Sequence, residues 1–344
     1  MHPPRTIYVE SAGTALPGLP VDNAALTRRF GMSDQWEEWI RTFLGTQTRH
    51  LAIDLDSGER RGTLAELCEL AARRALDAAG LAAADIDLVV LGTTTPDHLL
   101  PTTACAVAEL LGINGVPVLQ LQSGCSGSFQ ALDLANRLLT TGAYRRALVL
   151  GGEMFEKYFD LDQDFSRLPP EQLINYMLFG DGAGALVLGA EPRGAATALR
   201  LTSAKATGQG RPPGQTLEWY GSADRRSDRE LASEDYKAIA ESVPRMSREI
   251  LDQVLSEVGW ARADVDYILP PQLSGRMTGR VVDALDLVGS KEVSCVTRIA
   301  NTGNAALFFQ LERALALMGS GSRAIGISVE SSKWIRAAFA IERL

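Results

Sequence analysis

Apolar and polar positions along this chain fall into two recurring patterns. Leu64–Ala79 repeats its apolar residues every three or four positions, which predicts an amphipathic helix, and residues 86–91 form a short apolar run, which predicts a buried strand. The pair recurs as a helix over residues 244–258 and a strand over 265–269. Further on, residues 116–121 and 293–296 read as strands that lead into a turn and a helix rich in Ala and Leu. Each of those helices feeds another apolar strand, at 146–150 and 324–327. Near-continuous apolar strands alternating with helical patterns predict an α/β protein whose sheets are covered by helices.

The recurrence is literal enough to be a duplication. Residues 76–91 read LDAAGLAAADIDLVVL and residues 255–270 read LSEVGWARADVDYILP, with Gly80, Asp85 and Asp87 returning as Gly259, Asp264 and Asp266 at one constant offset. Downstream, Cys125-Ser126-Gly127-Ser128 and its following helix correspond to Asn301-Thr302-Gly303-Asn304 and the helix after it. Two long copies predict a pseudo-symmetric doubled domain, not a solenoid. Residues 193–235 break the pattern with GQGRPPGQ and SADRRSDRE, and read as a loop-rich joint between an N-terminal half, 1–192, and a C-terminal half, 236–344.

Composition narrows the function class. The chain has 344 residues, 46% of them hydrophobic and 22% charged, enough for a large core. A net charge of −8 argues against nucleic acid or an anionic membrane as the partner of the whole surface. No apolar run reaches the roughly 18–20 residues of a membrane span. The first residues, MHPPRTI, lack the layout of a signal peptide. The four cysteines have no CxxC spacing and the three histidines are scattered, so reduced thiols in a cytoplasmic protein are expected, without a metal site.

One cysteine stands apart. Residues 118–129, VLQLQSGCSGSF, read as a strand, a small-residue turn and a helix start, with Cys125 at the corner. Backbone N–H groups there lack intrahelical partners, and the positive end of the helix dipole favours thiolate. The same N–H groups can hold the oxyanion of a tetrahedral intermediate. The segment also fits a buried cysteine in a Gly/Ser turn.

Around that corner the chain resembles the ketoacyl synthase III enzymes of the thiolase superfamily. The resemblance rests on Glu38-Trp39-Ile40, on TTTPDHLLPTTAC at 93–105, on QSGCSGS around Cys125, on FGDGAGALVL at 179–188, and on Ala300-Asn301-Thr302, all in order. It implies a thiolase fold, with duplicated βαβαβαββ halves in a five-layer αβαβα sandwich, and a homodimer. It also implies Cys125 as nucleophile and Asn301 as its catalytic companion. Leu99 and Leu100 would help line the acyl pocket, and Trp39 would stand at the mouth of a pantetheine tunnel. Arg276, with Arg280 on the same helix face, would dock an acyl carrier protein, although arginines also suit any solvated face. No bound cofactor is implied; acyl-phosphopantetheine, on a carrier protein or on CoA, is the expected substrate. The glycines of 180–185 read as close packing, since they lack a nucleotide-binding layout.

Two departures bear on chemistry. The family's PHQAN motif reads Pro270-Pro271-Gln272-Leu273-Ser274 here, which puts Pro271 in the histidine's place. Losing one such donor to a substrate carbonyl costs on the order of 3–4 kcal/mol of transition-state stabilisation. The family's glycine-rich GGGF loop reads Glu330-Ser331-Ser332-Lys333-Trp334, with the Ser332 backbone N–H as the expected second oxyanion donor. Thioester exchange needs no strong base, because both sulfurs ionise near neutral pH. The expectation is therefore an acyltransferase. It would move an acyl group from a carrier thioester through acyl-Cys125 to a carrier thiol, or to a hydroxyl or amine of a natural-product intermediate. A hydroxyl acceptor calls for a base: His98 is one candidate, also readable as a surface histidine, while Gln272 and Ser274 could orient an acceptor. A decarboxylative condensing enzyme with an altered second site, and a non-catalytic partner subunit, are the competing readings.

Overall fold

Residues Leu88 to Leu91 show why this chain needs helices on both sides of its strands. Leu88 and Val90 join one apolar cluster, whereas Val89 and Leu91 join another. Side chains alternate across a strand with a period of two, so an unbroken apolar run requires a partner layer on each face. The computed structural model describes residues 5–344 apart from 160, 162, 163, 166, 167, 169, 195 and 219–231.

The first half runs β1 (Ile7–Ala15), β2 (Val21–Asp22), α1 (Asn23–Arg29), α2 (Asp34–Trp39), β3 (Thr48–Arg49), α3 (Leu64–Ala79), β4 (Leu88–Gly92), α4 (Thr103–Leu111), β5 (Val118–Leu121), α5 (Gly127–Thr140), β6 (Arg146–Glu153), α6 (Pro170–Leu178) and β7 (Gly182–Gly189). The second runs β8 (Thr197–Ala206), β9 (Gln215–Leu217), β10 (Ala232–Glu234), α7 (Tyr236–Val258), β11 (Tyr267–Leu269), α8 (Gly275–Leu285), β12 (Lys291–Glu292), α9 (Val296–Ile299), α10 (Ala306–Leu317), β13 (Arg323–Glu330) and β14 (Ile335–Arg343). Without the short ribbons and cap helices, each half is βαβαβαββ, as the duplication requires.

The sheet order repeats the duplication as well. One half contributes β5-β4-β6-β7-β1 and the other β12-β11-β13-β14-β8, each parallel at its outer strands and antiparallel at its inner ones. The two sets join edge to edge, because Ile7, Tyr8 and Val9 of β1 pair with Leu199, Ala198 and Thr197 of β8. Helices α5 and α10 lie between the sets: Leu132 and Phe308 share a core with Val149 of the first and Phe339 of the second. Outside, α3 and α4 cover the first set and α7 and α8 the second. The order is helix, sheet, helix, sheet, helix.

Local chemistry sets the helix ends. Thr63 and Glu66 form a reciprocal capping box ahead of α3, and Gly80 ends it in the left-handed region at φ 61°. Gly259 closes α7 in the same way at φ 73°. Three sequence expectations change. The helix expected from residue 244 begins at Tyr236, capped by the Asp235 carboxylate, and so carries Pro244 in its interior. No strand forms at 293–296: β12 ends just before it, at Glu292, and residues 296–299 turn into α9. Nor is the stretch 193–235 simply a joint, since it contains β8, a ten-residue strand at the centre of the sheet.

Candidate active site

Cys125 sits where β5 hands over to α5, in a turn that passes through Gly124 at φ 54°. Close packing fixes the turn: a Cβ on Gly92 of β4 would lie 2.5 Å from the Gly127 carbonyl carbon. Asn304, 1% exposed, ties the turn from behind. Its Oδ1 accepts from Ser128 N–H at 2.7 Å, and its Nδ2 donates to the Gly124 carbonyl at 3.0 Å and to Glu153 Oε1 at 2.5 Å. Glu153 is fully buried and also accepts from Thr94 N–H and Thr95 Oγ1, at 3.0 and 2.7 Å. The duplication places the Asn301 segment opposite, at the start of α10.

Cys125 and Asn301 line one cavity of about 370 Å3, together with Trp39, Phe43, Pro271 and Glu330. Asn301 Oδ1 accepts from Gly303 N–H at 2.9 Å, so its amide NH2 is the group left to donate into the cavity. No histidine lines this cavity among the described residues; His50 lies elsewhere, with Nδ1 3.1 Å from the Pro17 carbonyl.

The electrostatics reverse the expectation of a ready thiolate. The amides expected to favour it are committed elsewhere, with Ser126 N–H on Ser123 O at 3.2 Å, Gly127 N–H on Gly124 O at 3.1 Å and Ser128 N–H on Asn304. The Cys125 N–H donates to the carboxylate of Glu330, and Ser332 N–H donates to the same carboxylate at 2.7 Å. Both expected oxyanion donors therefore converge, and a side chain of this protein fills the space between them. Burial first, and then the Glu330 and Glu153 carboxylates, push the Cys125 thiol well above its ordinary value. Both causes favour the thiol over the thiolate.

Other expected site residues separate into those at the cavity and those away from it. Trp39 lines the cavity and stacks with Phe43, ring centroids 5.6 Å apart, and the Arg276 guanidinium lies 5.4 Å from the Phe43 ring centroid. Arg276 and Arg280 are both exposed on α8, but Arg280 donates to the Ala240 carbonyl at 3.1 Å. Gln272 and Ser274 border the cavity yet have structural tasks. Gln272 Oε1 accepts from Cys295 and Val296 N–H at 2.8 and 2.9 Å, and its Nε2 donates to the Pro270 carbonyl at 3.0 Å and to Ser294 Oγ at 2.8 Å. That side chain caps α9, which is why residues 296–299 are helical. Ser274 Oγ caps α8 by accepting from Met277 N–H at 3.2 Å. His98, Leu99 and Leu100 are exposed, the two leucines at 65% and 84%, and none of the three lines the cavity. Their loop is anchored at Asp97, which accepts from Leu64 and Ala65 N–H, each at 2.9 Å, and pairs with Lys157.

The 180–185 run serves close packing. A Cβ at Gly180 would lie 2.6 Å from the Ile299 carbonyl, and one at Gly184 would overlap Phe308. Sequence reasoning missed the roles of Glu330, Glu153 and Asn304. Glu330 carried a signal, since it is a charged residue in a stretch where the resemblance expects glycine. Glu153 and Asn304 carried none, because their partners lie far away in the chain.

Comparison with known proteins agrees with this geometry. The model of the family 3-oxoacyl-[acyl-carrier-protein] synthase III matches residues 119–207. A beta-ketoacyl-[acyl-carrier-protein] synthase III of Streptomyces coelicolor is 35% identical over 323 residues, covering 91% of this chain and 89% of its own length. Among solved structures, AbyA1, described as a tetronic acid condensing enzyme, is 55% identical with a TM-score of 0.95, covering 98% of this chain and all 100% of its own. The 3-oxoacyl-(acyl carrier protein) synthase III of Pseudomonas aeruginosa superposes with a TM-score of 0.82 at 27% identity, covering 98% of each chain. With its doubled βαβαβαββ frame, and with Cys125 and Asn301 facing one cavity, the chain belongs to the ketoacyl-[acyl-carrier-protein] synthase III family of thiolase-fold enzymes.

Proposed function

We propose that this enzyme takes an acyl group from a carrier-protein thioester onto Cys125 and passes it to a hydroxyl or carbon nucleophile of a natural-product intermediate, as in the assembly of a tetronic acid ring. The observation that carries the reading is the shared cavity: Cys125 faces Asn301 there, with Pro271 in the wall and no imidazole. A tetronic acid ring is closed by one carbon–oxygen and one carbon–carbon bond. The first is acyl transfer to a hydroxyl. The second needs no decarboxylation when the attacking carbon lies between two carbonyls and is already acidic. Asn301 NH2 then holds one carbonyl of the acceptor. The 55% identity to a tetronic acid condensing enzyme supports this acceptor class.

In this reading the substrate is an acyl-phosphopantetheine that enters past Trp39 and Phe43, and Arg276 beside Phe43 receives the acidic carrier protein. The enzyme works as a homodimer in which the exposed Leu99 and Leu100 reach the second copy.

The test is intact-mass detection of acyl-Cys125 after incubation with an acyl-carrier protein, followed by discharge to hydroxyl, thiol and β-ketoacyl acceptors. Acylation at Cys125 with discharge to a non-malonyl acceptor is expected. Carbon dioxide release from malonyl-carrier protein with a 3-oxoacyl product would instead establish decarboxylative condensation. Failure of every donor to load, with co-purification of a related synthase, would make the chain a non-catalytic subunit.

A further inference from the structure

Glu330 is 2% exposed at the end of β13, and its carboxylate occupies the site expected to hold the oxyanion. It accepts from Ser332 N–H at 2.7 Å and from Cys125 N–H, and it borders the cavity that Cys125 lines. Gly124 makes the fit possible, because a Cβ there would overlap this carboxylate. The nearest cation in sequence, Lys333, is turned away to the Arg211 carbonyl at 2.7 Å. A buried carboxylate held by backbone N–H groups is costly to desolvate. It also blocks the two donors a tetrahedral intermediate needs. A side chain in that place has to leave when a substrate carbonyl arrives.

The other carboxylate at the cavity wall is engaged. Glu234 accepts from the Tyr236 hydroxyl and from Gln215 Nε2, the latter at 3.0 Å. Glu330 alone among the described wall carboxylates lies against the nucleophile.

We propose that Glu330 is a catalytic residue of the acceptor half-reaction: displaced from the oxyanion site by the acyl carbonyl, its carboxylate removes the acceptor's proton. The inference rests on the reading of Cys125 as the acyl carrier. In the acyl-enzyme the carbonyl oxygen takes the two N–H groups, and the freed carboxylate turns into the cavity where the acceptor enters. The acceptor oxygen or carbon attacks the carbonyl carbon as its proton passes to Glu330. The bond from Cys125 sulfur to the acyl carbon breaks, and the proton moves from Glu330 to that sulfur, restoring the thiol. The carboxylate then returns to its seat, so no co-reactant is consumed. A positioned base contributes roughly 10²–10⁴-fold to such a step.

The experiment compares wild type with Glu330→Gln, which keeps the shape, and Glu330→Asp, which keeps the carboxylate. Cys125 is loaded from a short-chain acyl-N-acetylcysteamine thioester. The acyl-enzyme is then discharged to glycerol, a hydroxyl acceptor, and to N-acetylcysteamine, a thiol that needs little help from a base. Glu330→Gln is expected to slow discharge to glycerol by at least about 10²-fold while discharge to the thiol stays within about tenfold, with partial recovery in Glu330→Asp. Iodoacetamide labelling of Cys125 in Glu330→Gln is expected to move to lower pH, because Glu153 is then the one remaining carboxylate of the pair beside the thiol. Unchanged discharge to glycerol, or equal slowing with both acceptors, would overturn the proposal. A wild-type enzyme that never loads would sink the acyl-transfer reading itself, whereas the labelling arm would still report whether the Glu330 charge faces the sulfur.

Discussion

Arg280 donates from Nη2 to the carbonyl of Ala240 at 3.1 Å, across the contact between α8 and α7. That carbonyl belongs to the residue four positions before Pro244, the position whose N–H a proline lacks. Arg280 thus supplies the donor that lets α7 run through Pro244 and begin at Tyr236. The arginine expected to assist carrier docking is therefore partly occupied in holding a helix together.

From this follows a contrast between two neighbouring arginines. Arg276→Glu is expected to raise the KM for acyl-carrier protein at least about tenfold at low salt, with little change for a small acyl-N-acetylcysteamine thioester. Arg280→Ala is expected to act mainly on stability, at about 0.5–1.5 kcal/mol in urea unfolding, because it removes one hydrogen bond. Equal effects of both substitutions on carrier-protein KM, with no loss of stability, would contradict the assignment.

Asn301 and Asn304 are close in sequence and differ in task. Asn301→Ala removes the amide that faces the cavity, so acyl loading of Cys125 should persist while transfer to the acceptor falls by about 10²–10³-fold. Asn304→Ala leaves Ser128 N–H without its partner and takes one donor from the buried Glu153 carboxylate, which keeps those of Thr94 and Thr95. It should destabilise the fold by at least about 1–3 kcal/mol, measured by urea unfolding.

The thiol state of Cys125 has a direct readout in pH. Its value is pushed up by burial and by Glu330 and Glu153, so the proton is retained to higher pH than on an ordinary thiol. Iodoacetamide near neutral pH should label the exposed Cys105 ahead of Cys125, and the rate at Cys125 should still be climbing at pH 9. Preferential labelling of Cys125 near neutral pH, read by peptide mass, would show an activated thiolate at rest.

Gly92 tests the packing that seats Cys125. Its Cα faces the Gly127 backbone closely enough that a Cβ would come within 2.5 Å of the carbonyl carbon. Gly92→Ala must push α5 away from β4, at a cost of about 1–3 kcal/mol, and it should slow acyl loading because the Cys125 turn moves with the helix.

The sequence by itself determined the architecture and the corner at which Cys125 stands. Duplicated blocks such as 76–91 and 255–270 impose the same strand and helix on both halves, and a small-residue turn places Cys125 between a strand and a helix. These features are local, since periodicity and turn chemistry act within a few residues. Tertiary structure alone decided the electrostatics. Glu330 reaches Cys125 from over 200 positions away in the chain, Asn304 links Gly124 to Glu153, and Gln272 turns residues 296–299 into a helix. A charge acts through space according to distance and burial, neither of which is written in the spacing of residues along a chain. That is why burial and two distant carboxylates oppose the thiolate that the start of a helix was expected to favour.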